Sequence, residues 1–315
     1  MASATPEANS TASPETIEVK PLTIHIGAEI DGADLTQPLP EQTLREIRDA
    51  FLQWKVVFFK GQDLDHEQHV DFARQLGEPT IGHAVFGHID GYPEIYSIAK
   101  HRWDARYKPA PKLIKPWTGW HADITAAINP PAVSILRGVE IPPYGGDTFW
   151  TNLAVAYDGL SETLRGFVDG LRGLHVFEPP KEIETTEEYE EQREVRRMAS
   201  EHPIVRVHPE TGERVLYISP SYLRSIVGLA PRESEQLLEL LWEHAIRPEY
   251  TLRYKWEPGD LAMWDNRAVI HCAPRDIFEV EADRQLYRIT LIGDVPVGVD
   301  GKPSTSIEGD PIAAI

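Results

Sequence analysis

Trp120-His121-Ala122-Asp123, followed 148 positions past the aspartate by the end of Asn266-Arg267-Ala268-Val269-Ile270-His271, carries the residue types that ligate a transition metal. On an extended segment, residues two apart project to the same face, so His121 and Asp123 can grip one ion together. A distant histidine, His271, can supply the third ligand. Two imidazoles and one carboxylate on one face of an octahedron leave three positions open for chemistry, the arrangement that suits a non-heme Fe(II) centre.

Spacing alone does not select this triplet. With 12 histidines and 50 acidic residues, His-x-Asp/Glu also occurs at His69-Val70-Asp71, His88-Ile89-Asp90 and His208-Pro209-Glu210. The first lies in a stretch with helical pattern, Asp65 to Leu76 closed by Gly77, where residues two apart diverge by about 200° and cannot share a metal; it reads as solvated surface. His88-Ile-Asp90-Gly91-Tyr-Pro93 has turn chemistry. His208-Pro-Glu210-Thr-Gly212 falls between the alternating runs Ile204 to Val207 and Arg214 to Ile218, so it reads as the turn of a hairpin, a connector. His121 differs in being preceded by Trp117 and Trp120 and followed by an apolar strand, Ala132 to Leu136.

The elements that must position these groups are mostly short strands. Ile17 to Ile26 reads as extended, Gly27 to Leu35 as a turn-rich loop, Pro40 to Trp54 as an amphipathic helix through Leu44, Ile47, Phe51 and Trp54, and Val56 to Phe59 as a buried strand. Ile81 to Thr118 is irregular and Pro-rich, of a length found in lids and binding loops. Strands are expected at Ala132 to Gly138, Leu174 to Phe177, the hairpin at 204 to 218, Tyr250 to Trp256, Asp260 to Trp264 and Arg284 to Ile292. Helices are expected at Asn152 to Leu171 and Glu233 to Ala245. Lys181 to Glu201, with eight glutamates and four basic residues, reads as a solvated helix laced with charge pairs, a mobile cover over a site being the sharper alternative. Many short strands with helices added outside predict a mainly β (α+β) jelly roll.

Pro258-Gly259-Asp260 launches Leu261 to Trp264 and places His271 just beyond a buried strand, where a ligand is anchored by stiff structure. Arg284 and Arg288 lie four apart on a strand, on one face and roughly 13 Å apart at about 3.3 Å per residue. That separation is too great for one small carboxylate, so two anions, or one anion and one structural ion pair, fit better. Gly145-Gly146-Asp147-Thr148 supplies a compact turn and then a hydroxyl.

At 315 residues and 41% hydrophobic composition the chain can bury a large core, and the middle has no linker, so a single domain over 17–315 is expected behind a disordered tail at 1–16. The formal charge of −19 disfavours nucleic acid and anionic membranes as partners. No apolar run approaches bilayer length, and the lone Cys272 cannot form an internal disulfide; a cytoplasmic protein is expected. Any anionic small molecule must be held by local positive charge.

In order, Gly27-Ala-Glu-Ile-Asp-Gly32, Val56-Val-Phe-Phe-Lys-Gly61, Trp120-His-Ala-Asp123, Gly145-Gly-Asp-Thr148, His208-Pro-Glu-Thr-Gly212, Trp264-Asp-Asn-Arg267, His271 and Arg288-Ile-Thr-Leu-Ile-Gly-Asp294 resemble the taurine dioxygenase (TauD/TfdA-like) family of Fe(II)- and 2-oxoglutarate-dependent oxygenases. The resemblance covers about Ile17 to Pro296. It implies a double-stranded β-helix with iron on His121, Asp123 and His271, and with Thr148 and Arg284 on the distal carboxylate of 2-oxoglutarate. Arg288 and His83 would face the acidic end of the primary substrate. With O2 as co-substrate, it implies release of succinate and CO2 and oxidation of a C–H bond by hydroxylation or desaturation, since halogenating relatives lack the carboxylate that Asp123 supplies. Relatives are commonly dimers or tetramers, so a homo-oligomer is expected. Phe86 stands where taurine-oxidising members have a tyrosine, and the Pro-rich stretch carries Trp103, Tyr107, Lys112, Lys115 and Trp117. A pocket with Trp117 and Phe86 would suit a larger, more apolar anion: an alkyl sulfate or sulfonate, an aryloxyalkanoate, or a natural-product carboxylic acid such as a terpenoid acid. A Zn(II)-dependent hydrolase or isomerase, or a non-catalytic binding protein on the same barrel, are the alternatives.

Overall fold

A computed structural model describes residues 16–100, 115–178 and 185–315. Its strands are β1 (Glu18–Pro21), β2 (Ala28–Asp31), β3 (Val56–Phe59), β4 (Tyr96–Ala99), β5 (Val133–Glu140), β6 (Thr148–Asn152), β7 (Arg172–Val176) and β8 (Ala199–Pro203). They continue with β9 (Val205–Val207), β10 (Arg214–Leu216), β11 (Leu223–Ile226), β12 (Thr251–Tyr254), β13 (Leu261–Asp265), β14 (Val269–Cys272), β15 (Gln285–Leu291) and β16 (Thr305–Glu308). The helices are α1 (Glu41–Trp54), α2 (His66–Leu76), α3 (Leu153–Asp158), α4 (Glu162–Val168), α5 (Glu187–Val195) and α6 (Pro231–Ala245).

Period-two burial explains how these strands stack. In β3, Val56 and Phe58 join one apolar cluster while Val57 and Phe59 join another; in β13, Ala262 and Trp264 separate likewise from Leu261 and Met263. Both strands therefore sit in a sheet covered on both faces, which is why they read as continuous apolar runs. That sheet has seven strands in the order β1-β2-β3-β13-β5-β15-β4. Its outer face packs on α1 and α2 through Ile47, Phe51, Val70 and Phe72. Its inner face meets Trp150, Leu252, Tyr254 and Val269 of a three-stranded sheet, β12-β6-β14. A four-stranded sheet, β11-β7-β8-β16, and the β9-β10 hairpin complete the second layer, closing the jelly roll.

The hairpin does more than connect. His208 is buried, and its Nε2 lies 2.9 Å from Asp265 Oδ2 at the end of β13. Arg267 donates to both oxygens of Asp265, at 2.7 and 2.8 Å, and to Glu210 at 2.6 Å. The His208-x-Glu210 triplet is thus spent on fixing the segment that leads to His271.

Six expectations need correction, two of them the reading of Ile81 to Thr118 as irregular, which holds β4, and of Lys181 to Glu201 as helix, whose last residues belong to β8. Gly27 to Leu35 contains β2, which pairs antiparallel with β1 and parallel with β3; its glycines suggested a loop, but both edges find partners. Asn152 to Leu171 is two helices, because the Asn152 side chain caps α3 and Ser161 caps α4. His69 is fully buried on α2 rather than solvated, although Asp71 is exposed as expected. Arg284 lies one residue before β15. The expected tail at 1–16 lies outside the described residues except for Thr16, as do Trp103, Tyr107, Lys112 and residues 181–184 of the charged segment. Among the described residues, no helix is long and apolar enough to cross a membrane.

Burial holds His69 and His202 neutral, their pKa pushed down to about 3. Unfolded imidazoles protonate near 6.5, so between pH 3 and 6.5 the unfolded chain binds more protons and stability rises with pH. Each group should cost about 2 kcal/mol at pH 5 relative to pH 7, being about 1.5 units below the unfolded value at about 1.36 kcal/mol per unit. Urea unfolding at both pH values checks this: His69→Leu should shrink the loss by about that amount, and a loss equal to that of the parent would refute it.

Candidate metal centre

Two residues 150 positions apart meet by backbone pairing. His121 N donates to His271 O at 2.9 Å and His271 N to His121 O at 2.7 Å, an isolated antiparallel bridge at the edge of β14. Residues that exchange both bonds lie directly opposite and present their side chains to one face. The rings accordingly have centroids 4.2 Å apart. Asp123, two residues on, reaches the same place: its Oδ1 lies 4.0 Å from His121 Nε2. One ligand atom from each of His121, Asp123 and His271 lies within 4.8 Å of the others.

The donor set suits a divalent metal. His121 Nδ1 donates to the Gly119 carbonyl at 2.9 Å, which directs the Nε2 lone pair toward the cluster. Burial lowers the pKa of both imidazoles, that of His271 strongly, so both remain neutral donors. For Asp123 burial acts in the opposite sense, but the Arg288 guanidinium and the Ser134 hydroxyl outweigh it and hold the carboxyl well below its usual range. The triad thus presents two lone pairs and one negative charge.

Asp123 is fixed from the inner face of the seven-stranded sheet. Register places Thr290 of β15 opposite Ser134 of β5, and Arg288 opposite Leu136; Ser134, Arg288 and Thr290 are all buried. Ser134 Oγ donates to Asp123 Oδ2, and Arg288 Nη1 donates to Oδ1, each at 2.5 Å. Asn266 braces both sides, donating to Ser134 Oγ at 2.8 Å and accepting from Asp123 N at 3.2 Å and from Trp264 Nε1 at 3.0 Å. Directly after Asp123, Ile124 has φ +47°. Left-handed backbone at a β-branched residue costs on the order of 1–3 kcal/mol and persists only where surroundings over-determine it.

Around the triad, the other expected residues fall into three groups. Arg284 is buried and its Nε donates to Gly146 O at 3.1 Å, joining it to the turn that leads to Thr148. A Cβ at Gly146 would stand 2.9 Å from Arg284 Cδ, so glycine is needed for this approach. Thr148 Oγ1 accepts from Trp256 Nε1 at 2.9 Å. His83 Nδ1 accepts from the N–H groups of Val85 and Phe86, both at 3.1 Å, which puts the ring proton on Nε2. Its ring lies 4.5 Å from Phe86 and 4.9 Å from Tyr96, and the Arg288 guanidinium lies 5.4 Å from the Tyr96 ring. His83 and Phe86 thereby join the triad through Arg288. Trp117 does not: it packs on Trp242 of α6, 5.8 Å between ring centroids, inside the largest apolar cluster.

The family model described as "Taurine catabolism dioxygenase TauD, TfdA family" matches residues 18–290. The chain belongs to the TauD/TfdA family. A Pseudomonas putida alpha-ketoglutarate-dependent sulfate ester dioxygenase is 37% identical over 305 residues, covering 91% of this chain and 93% of the relative. An Acinetobacter baylyi alkylsulfatase is 36% identical over 303 residues, covering 93% and 91%. A crystal structure of a taurine dioxygenase from Burkholderia xenovorans is 60% identical with a TM-score of 0.82, covering 93% of this chain and 97% of that one.

Within this TauD/TfdA chain, several residues near the triad carried no sequence signal of their own. Tyr222 lies 6.5 Å from His121, Phe177 lies 5.9 Å from Tyr222, and Phe86 lies 6.0 Å from Phe177, so aromatic rings run from His121 round to His83, Tyr96 and Arg288. Tyr189 of α5 adds a contact 5.5 Å from Phe86, which brings the charged segment against this arc. Only the alternation of β4, and of β7 carried one residue past its end, could have flagged Tyr96 and Phe177 as inward. Trp117→Ala should cost about 3–5 kcal/mol in urea unfolding, as for a buried tryptophan, with the KM for a primary substrate unchanged. A raised KM at unchanged stability would place Trp117 in the substrate pocket after all.

Proposed function

We propose that His121, Asp123 and His271 hold a ferrous ion on which this 2-oxoglutarate-dependent dioxygenase oxidises a C–H bond of an anionic, partly apolar small molecule. The observation that carries the reading is the convergence of the three ligand atoms within 4.8 Å, with His121 oriented by Gly119 and Asp123 ionised. When bound, iron, 2-oxoglutarate and O2 supply the oxidant, with succinate and CO2 as products.

The chain's own residues do the rest. Arg284, steered by the Gly146 carbonyl, and Thr148 on the adjoining strand hold the distal carboxylate of 2-oxoglutarate; a guanidinium fork and a hydroxyl are suited to that group. Arg288 is 5% exposed, and its Nε and Nη2 have no hydrogen-bond partner among the described residues. Buried donors of this kind favour an oxyanion. Arg288, with His83 Nε2–H, binds the sulfate, sulfonate or carboxylate of the primary substrate, while Phe86, Phe177 and Tyr222 exclude water and orient an apolar tail. The relatives named for sulfate esters and alkyl sulfates place those compounds first among candidates, ahead of aryloxyalkanoates and natural-product acids. Whether the product is hydroxylated or desaturated depends on which C–H bond these walls bring nearest the metal. The zinc-hydrolase and non-catalytic alternatives give way to membership of a dioxygenase family.

Anaerobic addition of Fe(II) and 2-oxoglutarate should give a weak visible charge-transfer band, which Asp123→Ala abolishes together with succinate formation; tight Zn(II) binding with no such band would refute the reading. Arg284→Ala should raise the KM for 2-oxoglutarate, and Arg288→Ala that for the primary substrate, each by about 10- to 100-fold for a lost charged hydrogen bond of about 1.5–3 kcal/mol. Arg288→Ala should in addition leave uncoupled 2-oxoglutarate turnover. Interchanged effects would reverse the assignment of the two arginines. Succinate release from alkyl sulfates, alkyl sulfonates, aryloxyacetates and terpenoid acids in parallel ranks the substrate classes.

A further inference from the structure

The backbone just beyond Asp123 is held by side chains from a sheet that contributes none of the three ligands. Ser200 and His202, two apart on β8, share a face and are both fully buried. His202 Nε2 reaches the carbonyls of Thr125 at 2.8 Å and Ala127 at 3.1 Å, and Ser200 Oγ donates to the carbonyl between them, Ala126 O, at 2.8 Å. Because Nε2 faces two acceptors it carries the ring proton, while Nδ1 lies 2.7 Å from Ser304 Oγ, which also lies 2.9 Å from Pro296 O. His175 of the neighbouring β7 adds a fourth tie, Nδ1 to Thr125 Oγ1 at 2.9 Å, its ring 4.9 Å from that of His202. Three consecutive carbonyls therefore end on side chains that reach them from strands rather than on backbone partners.

Between this clamp and the carboxylate stands Ile124, buried in an apolar cluster with Val85, Phe177 and Met198 and held at φ +47°. On the other side, Ser219 Oγ accepts from Ala122 N at 3.1 Å and Asn266 from Asp123 N. A strained residue fastened at both ends transmits the position of one end to the other. Release of carbonyls 125–127 lets Ile124 relax toward ordinary backbone, and the adjoining Asp123 Cα–Cβ bond turns with it.

We propose that His202 is a positioning residue for Asp123, acting with Ser200 through the strained Ile124 to aim the carboxylate at His121 and His271. Neither residue touches the triad, so a merely structural role would alter stability and leave metal affinity alone. The inference rests on the metal reading of the triad. Removal of partners that orient a ligand typically costs about 10- to 100-fold in metal affinity.

The test is titration of the full-length, metal-free protein with Co(II) alone, monitored by d–d absorption and calorimetry, with urea midpoints of each metal-free variant alongside. His202→Leu should weaken Co(II) binding about tenfold or more, and His202→Gln, which keeps an N–H within reach of the same carbonyls, should recover most of it. Ser200→Ala should fall between. His244→Leu, which loses a comparable bond to Ala156 O at 2.8 Å far along α6, should leave Co(II) affinity unchanged. Parental Co(II) affinity in folded His202→Leu, or an equal loss in His244→Leu, overturns the proposal. If His202→Leu does not fold, Ser200→Ala decides, and unchanged affinity there overturns it. Failure of the parent protein to bind Co(II) would sink the metal reading itself, a result separate from equal binding by parent and variants.

Discussion

The exchange of two backbone hydrogen bonds between His121 and His271 is the constraint on which the site depends. It joins the 117–123 segment to β14, which itself pairs with β6, so the triad side chains meet as a consequence of strand pairing. The register is unforgiving, since a slip of one residue would turn His271 away from His121 and present Ile270 or Cys272 instead. The salt-bridged turn from His208 to Glu213 removes that freedom. By tying Asp265 and Arg267 at the end of β13, it sets where β14 begins, just ahead of the ligand.

Buried charge in this acidic molecule is arranged in matched sets. Asp265 is met by Arg267, Arg206 by Asp294, and Asp123 by Arg288. Such sets add little net stability, because desolvation opposes the attraction, but removal of one member leaves an uncompensated buried charge. The arrangement therefore favours one geometry over its alternatives. In the first two sets the charges lock backbone segments together. In the third, the guanidinium touches the Asp123 carboxylate through Nη1 and retains Nε and Nη2 without partners among the described residues, a set that the proposed substrate anion would complete.

Much of this was legible in residue order. The same-face argument for His121 and Asp123 needed only extended backbone, and the elimination of His69-x-Asp71 needed only helical pitch. The two arginines kept the parity of β15, although Arg284 falls just outside it. The failures have a common physical cause. His69 is judged by what packs on it, and α2 against the seven-stranded sheet cannot be read from neighbours in the chain. The strand at Ala28–Asp31 escaped because its pairing partners β1 and β3, not its own composition, decide it. Ser134 and Asn266 are ordinary polar residues in sequence, and their role lies in a register that joins β5 to β13 and β15.

An anion approaching a protein of net charge −19 meets repulsion at long range, yet the proposed site must hold two. Distance resolves the conflict. At physiological salt the surface charges are screened over about 8 Å, whereas groups in a buried site are screened much less. Arg284 and Arg288 are both more than nine-tenths buried, so their attraction is felt at contact, with little contribution from the surface. Their spacing along the chain also keeps the two anions from sharing a guanidinium. Recognition then rests on the fit of each oxyanion to its own donors, while the aromatic arc from Tyr222 to Tyr96 governs which apolar groups can accompany the substrate anion into the barrel.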